Sequence, residues 1–222
     1  MDFDPDGENK LLAAICYAHS HLPESQLLTR VTQLSHDEKV RIIAAYVGNR
    51  ENRRHKPGRA FERIDYRFDV LGDYGAFRDL QRHRLLTIEW QRLSPDHGYV
   101  MPELVAEAGV ADEFEDSMTR SATLYEALRP DYPEQAAYAI SMAYRLRYSM
   151  QFNAREAIHL LELRSAPQGH PAYRRVVIEM HRLIAEKAGH RAVADAMTHM
   201  TFEAPALERL DSERKAENRR NS

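Results

Sequence analysis

The sequence predicts a single α/β domain in which helices outnumber strands, and three observations carry that prediction. Ile64, Tyr66, Phe68 and Val70 alternate with Asp65, Arg67 and Asp69, the period-two pattern of a half-buried strand. Tyr144, Leu146, Tyr148, Met150 and Phe152 alternate in the same way with Arg145, Arg147, Ser149 and Gln151. Helical spacing and helix-start signals fill most of the remaining chain.

In chain order, the apolar run at residues 11–18 is a helix, and residues 24–34 space their leucines and Val31 helically. Ser35-His36-Asp37-Glu38 is a capping box, in which serine and glutamate satisfy orphan backbone N–H groups. Val40, Ile42, Ile43, Ala44 and Val47 supply the apolar positions of the helix it opens, which stops at Gly48. Residues 49–62 form a loop: they hold a Pro-Gly pair, lack periodicity, and carry five Arg or Lys against two Glu. The first strand follows. Helices are predicted over 74–81, 102–109, 112–128 and 134–143, with a weaker extended segment over 87–93. After the second strand, residues 153–164 form a helix opened by an Asn153-x-x-Glu156 cap. Pro171 opens another to about residue 188, and residues 190–200 make a short last one. The domain is read as residues 1–210, followed by a polar, frayed tail at 211–222.

Composition narrows the function classes. The formal charge is -3, which disfavours a general nucleic-acid binder. No apolar stretch approaches the ~20 residues that span a bilayer, so no membrane role is expected. Cys16 is the sole cysteine, which excludes an intrachain disulfide and makes a reducing, cytoplasmic setting the default. Cys16 sits in an apolar run, where a free cysteine is more often a small core group than a nucleophile. His19-Ser20-His21 lacks HExxH or Cys/His spacing, so no metal site is expected.

Three segments place basic or amide side chains at element boundaries: residues 50–59, Arg78-Asp79-Leu80-Gln81-Arg82-His83-Arg84, and Asn153-Ala154-Arg155-Glu156-Ala157-Ile158-His159 with Glu162-Leu163-Arg164. Arginine offers a planar fork of donors suited to phosphate and to the imide edge of a pyrimidine or flavin. Taken singly, each segment has a plainer explanation. Residues 82–84 complement a helix dipole, Asn153 caps a helix, and Arg155 with His159 forms an exposed pair one turn apart. Together, fed by two strands, they point to a shared site for a phosphorylated aromatic ligand, beginning at Gln81-Arg82-His83-Arg84.

These residues resemble the flavin-dependent thymidylate synthases. Gln81-Arg82-His83-Arg84-Leu85-Leu86-Thr87 resembles the start of that family's RHRxxS motif. Asn153-Ala154-Arg155, His159 and Leu163-Arg164 match its second block at the same internal spacing, and Phe61-Glu62 stands at the expected distance upstream. The resemblance covers residues 35–197. The stretches 52–59 and 167–171 look closer to a diverged branch, whose members are often fused to a second related half.

The resemblance implies an antiparallel sheet flanked by helices, of the thymidylate synthase-complementing kind, in a homotetramer with active sites between subunits. It implies FAD as cofactor, NADPH as reductant, methylenetetrahydrofolate as carbon donor, and C5 methylation of dUMP to dTMP without a cysteine nucleophile. By matching position, Arg82, His83 and Arg84 hold FAD, and Asn153, Arg155 and His159 contact it from another subunit. Arg164 stands at the pyrimidine, favours its N3-ionised form, and activates C5. Gln81, Arg82, Gln91 and Arg92 belong to the nucleotide side.

Beyond Thr87 the chain departs from the pattern. The family asparagine is replaced by Glu89, and the Ser-x-Arg-Tyr phosphate motif is out of register in Glu89-Trp90-Gln91-Arg92-Leu93-Ser94. A one-residue shift gives Arg92 the phosphate role and makes Glu89 the counterpart of a family glutamate near the cofactor. Tyr138 stands where the family has an arginine beside the substrate, and His55 lies next to the position of a flavin-side histidine. UMP therefore stays open beside dUMP, as in relatives serving nucleoside-antibiotic pathways. A non-catalytic flavin-binding or structural homologue is the rival reading, and a nucleic-acid module resting on residues 50–59 is a third.

Overall fold

The computed structural model describes residues 1–203, 214, 217 and 218, so the predicted tail lies almost wholly outside the described residues. Strands β1 (Asp2–Phe3), β2 (Asp65–Asp73), β3 (Thr87–Trp90) and β4 (Arg145–Asn153) form an antiparallel sheet in the order β1-β2-β4-β3. The α/β prediction holds, and both alternating segments are strands. The pair β1 was not predicted; two residues carry too little pattern to read. It gains its strand character by pairing with β2, Asp2 opposite Arg67 and Phe3 opposite Tyr66.

Helices α1 (Gly7–Tyr17), α2 (Glu24–Thr32) and α3 (His36–Val47) lie before β2. The capping box of α3 is formed as predicted, and Gly48 ends the helix at φ 65°, a left-handed conformation that favours glycine. Helix α4 (Tyr74–Leu80) follows β2 and is capped by the Asp73 carboxylate. Helices α5 (Glu103–Glu107) and α6 (Ala111–Leu128) precede β4, and α7 (Ala154–Ser165), α8 (Pro171–Glu186) and α9 (Arg191–Asp195) follow it. The helix predicted over 134–143 is not formed. One 3₁₀ segment, Gln135–Ala139, stands there, and Ile140 turns to extended backbone. Burying Ala136 and Ile140 against Met118, Tyr125 and Tyr144 decides that stretch over its helix propensity. The helix predicted over 190–200 is only the five residues of α9.

Two compact units divide the chain. The first comprises residues 1–68, 83–87 and 150–222; the second comprises 69–82 and 88–149. In the first, Tyr66, Phe68, Met150 and Phe152 point inward from the strands and are buried, with the Phe68 and Phe152 rings stacked at 5.5 Å. Helix α7 is buried along much of its length, through Ala154, Ala157, Ile158, Leu160 and Leu161. Each large apolar side chain buried in this way contributes about 1.5–3 kcal/mol. In the second unit, Phe77 packs on Tyr148 at 4.9 Å, and the Tyr144 hydroxyl donates to the Met118 carbonyl at 2.6 Å. Cys16 is partly exposed rather than enclosed in the core, and His19 and His21 are exposed. Among the described residues no helix is long and apolar enough to cross a membrane.

Candidate active site

Around helix α7 the first unit gathers the loop before β2, the segment 83–87 between β2 and β3, and helix α8 after β4. Asn153 caps α7, its side chain accepting from the Glu156 backbone N–H at 2.9 Å. The predicted reciprocal cap does not close, because the Glu156 carboxylate turns away from the helix start to a buried partner. His83 Nδ1 lies 3.1 Å from Glu156 Oε1, with both side chains 5% exposed. A carboxylate this deeply enclosed requires a donor, and His83 is one. On the other edge of the ring, Arg164 Nε donates to His83 Nε2 at 3.1 Å. The Arg164 guanidinium also lies over the Tyr173 ring, 5.4 Å from its centroid, a cation–π arrangement. His159, one turn along α7 from Glu156, meets His83 edge-on at 5.8 Å.

The local electrostatics are cationic. Burial holds His159 below the usual imidazole range; Glu156 opposes that shift, while Lys56, His83 and Arg53 reinforce it. The basic loop is anchored from beneath by Arg50, whose guanidinium makes a bidentate pair with Glu162 at 2.6 and 2.7 Å and also donates to the Ala196 carbonyl at 2.9 Å. Arg50 Nε donates to the His55 carbonyl at 2.6 Å, so one buried arginine fixes both ends of the turn that carries Arg53 and Arg54. Arg155 is half-buried: its Nε donates to the Pro57 carbonyl at 2.9 Å and its Nη1 to Glu62 at 3.2 Å.

The structure thus brings His83, Arg155, His159 and Arg164 together with the basic loop in one unit, with Asn153 serving as the cap of their helix. Arg84 belongs to the same unit and is exposed. Gln81, Arg82, Glu89, Gln91 and Arg92 belong to the second unit. There Arg82 pairs with Asp79 at 3.2 Å, and Arg92 pairs with Glu134 at 2.5 Å with both side chains largely exposed. Arg147 pairs with Asp69 at 3.0 Å, and Tyr138 is 91% exposed.

Sequence reasoning named the segments that hold Arg50, Glu156 and Glu162 but gave these residues no part in the site, and it did not name Tyr173. Glu156 and His159 share a helix face at i, i+3, and that spacing was the available signal. The His83–Glu156, His83–Arg164 and Arg50–Glu162 contacts join residues 73, 81 and 112 positions apart in sequence, and no local pattern marks them. His83, Glu156 and His159 also place ligand atoms within 4.8 Å of one another, a group that a search for contiguous metal motifs does not detect.

The chain is thus an α/β fold with an antiparallel sheet and a capped helix that presents Arg, His and Glu. The sequence matches the family described as thymidylate synthase complementing protein over residues 2–189, and the chain belongs to that family. Curated relatives are UPF0159 proteins. The one from Chlamydia pneumoniae is 38% identical over 82% of this chain and 34% of its own length. Those from Chlamydia muridarum and Thermoplasma acidophilum are 34% and 33% identical over 96% and 92% of this chain, and 40% and 41% of theirs. The chain therefore spans about two-fifths or less of the length of the curated relatives it matches. The fold is similar to that of thymidylate synthase X from Helicobacter pylori solved with FAD and dUMP, with a TM-score of 0.62 at 18% identity over 89% of this chain and 97% of that one. A second structure of the Helicobacter pylori enzyme, also with FAD and dUMP, gives 0.57 at 18% identity, covering 82% and 90%.

Proposed function

We propose that the chain is a flavin-dependent thymidylate synthase-like methyltransferase acting on C5 of a uridine nucleotide, with Arg164 as the residue that handles the pyrimidine. The observation that carries this is the seating of Arg164, held at Nε by His83 and across its face by Tyr173. A guanidinium fixed on two sides is pre-organised to stabilise negative charge developing on a uracil ring, because little reorganisation is needed when the charge appears.

The residues present fit a flavin dinucleotide. Its pyrophosphate calls for several cations, and Arg53, Lys56 and Arg155 lie on or against the loop pinned by Arg50, with Lys56 and Arg53 near enough to depress His159. Arg82, His83, Arg84, Glu89, Asn153, Arg155 and His159 are the residues proposed to hold FAD. His83 acts from its buried position, since both ring nitrogens are engaged within the protein. When bound, the flavin supplies the redox chemistry by which a carbon from methylenetetrahydrofolate, with NADPH as reductant, reaches the methyl level. This chain's residues bind and orient: Arg164 holds the pyrimidine as its N3 anion, while Gln81, Arg82, Gln91 and Arg92 take the nucleotide's polar edge and phosphate. A homotetramer formed by this one domain, residues 1–210, in the cytoplasm completes the proposal.

Arg164→Ala is expected to abolish methylation while sparing most flavin binding, read by product formation and by flavin absorbance on the same sample. Full activity in that variant would remove Arg164 from the mechanism. Comparing dUMP with UMP identifies the substrate, and the exposed, out-of-register segment 89–92 is the reason UMP is retained as a second reading. Methylated product from neither nucleotide, with the chain alone or mixed with a related partner half, would leave a non-catalytic flavin-binding homologue.

A further inference from the structure

We propose that Glu156 and His83 form a positioning relay that sets the orientation of Arg164, with His83 kept as the neutral tautomer protonated on Nδ1. The inference rests on the reading that Arg164 faces the nucleotide, but the relay itself is defined by contacts in the first unit alone. Arginine Nε carries a hydrogen and has no lone pair to offer, so it can only donate. The Arg164 Nε to His83 Nε2 contact at 3.1 Å therefore requires a lone pair on His83 Nε2. An imidazolium, or the tautomer protonated on Nε2, would set two N–H groups against each other. The ring proton must then sit on Nδ1, where the Glu156 carboxylate stands 3.1 Å away to accept it.

Each member fixes the next. Glu156 is held at the start of α7 by the Asn153 cap and is almost wholly enclosed. It orders the ring of His83 and selects its tautomer, as an orienting carboxylate does for a histidine. His83 then presents one acceptor to one edge of Arg164, and Tyr173 holds the face. Asn153, the cap of α7, and Glu156 in its first turn are thus connected to the Arg164 guanidinium, eight residues beyond Glu156 on the same helix, through a side chain from a distant segment. The alternative use of His83, Glu156 and His159 is a divalent cation, since their ligand atoms lie within 4.8 Å. The donated Arg164 hydrogen uses one His83 lone pair, a proton lies between the ring and Glu156, and Lys56 and Arg53 surround His159 with positive charge. Each of these opposes a bound cation, and together they favour the relay.

The test begins with nucleotide-free protein labelled with ¹⁵N in its histidines. Long-range ¹H–¹⁵N correlations at pH 7.5 should show His83 protonated on Nδ1 and bare on Nε2. Neutral His83 protonated on Nε2 would overturn the relay, whatever the enzyme does. Glu156→Leu removes the acceptor and should abolish that tautomer preference, lowering kcat for the nucleotide by about 10²-fold through misplacement of Arg164. Glu156→Gln keeps an acceptor oxygen and should restore both the spectrum and most of the rate; a Gln variant as impaired as the Leu variant in both would overturn the relay. Flavin absorbance should survive in each. Should Glu156→Leu fail to fold, the wild-type spectrum and the Gln variant still decide. Wild-type protein with the expected spectrum but no turnover would remove the enzymatic reading and leave the relay standing.

Discussion

Two parts of the proposed ligand-handling machinery are built in opposite ways. Around α7, the charged residues are enclosed and interlocked: Arg50 with Glu162, Glu156 with His83, and His83 with Arg164. In the segment 89–92, Glu89, Gln91 and Arg92 are exposed, and the ion pair of Arg92 with Glu134 lies in solvent. By sequence, the resemblance to the family's motifs runs through His83, Arg155, His159 and Arg164 in the first region and stops after Thr87 in the second. The contrast teaches why. A buried charge is tolerable only with its partner, so one change there leaves the other charge uncompensated, whereas an exposed pair can be altered at little cost in stability.

The strongest way to break this comparison is at the buried pair. Arg50→Ala or Glu162→Ala should destabilise the protein by about 3–5 kcal/mol, measured by urea unfolding, because either leaves a charge stranded away from water. A loss below about 1 kcal/mol would place the pair in the same class as surface bridges. Next in size is Gly7→Ala. Alanine is normally favoured in a helix, but a Cβ here would come within 2.6 Å of His190 Cε1 and 3.0 Å of Ile64 Cγ2. The substitution should therefore cost about 1–3 kcal/mol by overpacking, and a rise in melting temperature would show that the His190 ring yields easily.

A pH effect of smaller size sharpens the picture of the enclosed region. Burial lowers the pKa of His159, His181 and His190 below the ordinary imidazole value. The unfolded chain then binds more protons than the folded one just below about pH 6.5. Stability is thus fully present above that pH and is lost as pH falls through the folded values, by at most about 1.4 kcal/mol per pH unit for each histidine. Unfolding free energies at pH 7.5 and 5.5 measure the slope. His181→Gln, which preserves a donor to the Ala194 carbonyl, should reduce it; an unchanged slope would assign the effect to other groups. The smallest effect is expected at the exposed pair, where Arg92→Ala should change stability by about 0–1 kcal/mol. A larger loss would mean that segment 89–92 is as structurally committed as α7.

Much of the fold was legible because its signals are local. Alternation in residues 64–70 and 144–152 identified β2 and β4, and Ser35 with Glu38 located α3 to the residue. Where burial outweighed propensity, as at residues 134–143, the local signal misled. The site was legible only as far as single residue types at fixed spacing could reveal it. Asn153, Arg155, His159 and Arg164 lie on one helix and could be grouped, but Glu156 read as a cap partner because capping is the nearest role for that spacing.

By itself the sequence determined the α/β class, strands β2 and β4, most helices, and the residues through which the chain resembles its family. Periodicity and capping act within a few residues, so they are written locally. Only the tertiary structure decided that Glu156 turns to His83, that His83 supports Arg164, and that Arg50 reaches Glu162. Those pairings are set by which charges must be enclosed together away from water, and that depends on the packing of segments far apart in the chain.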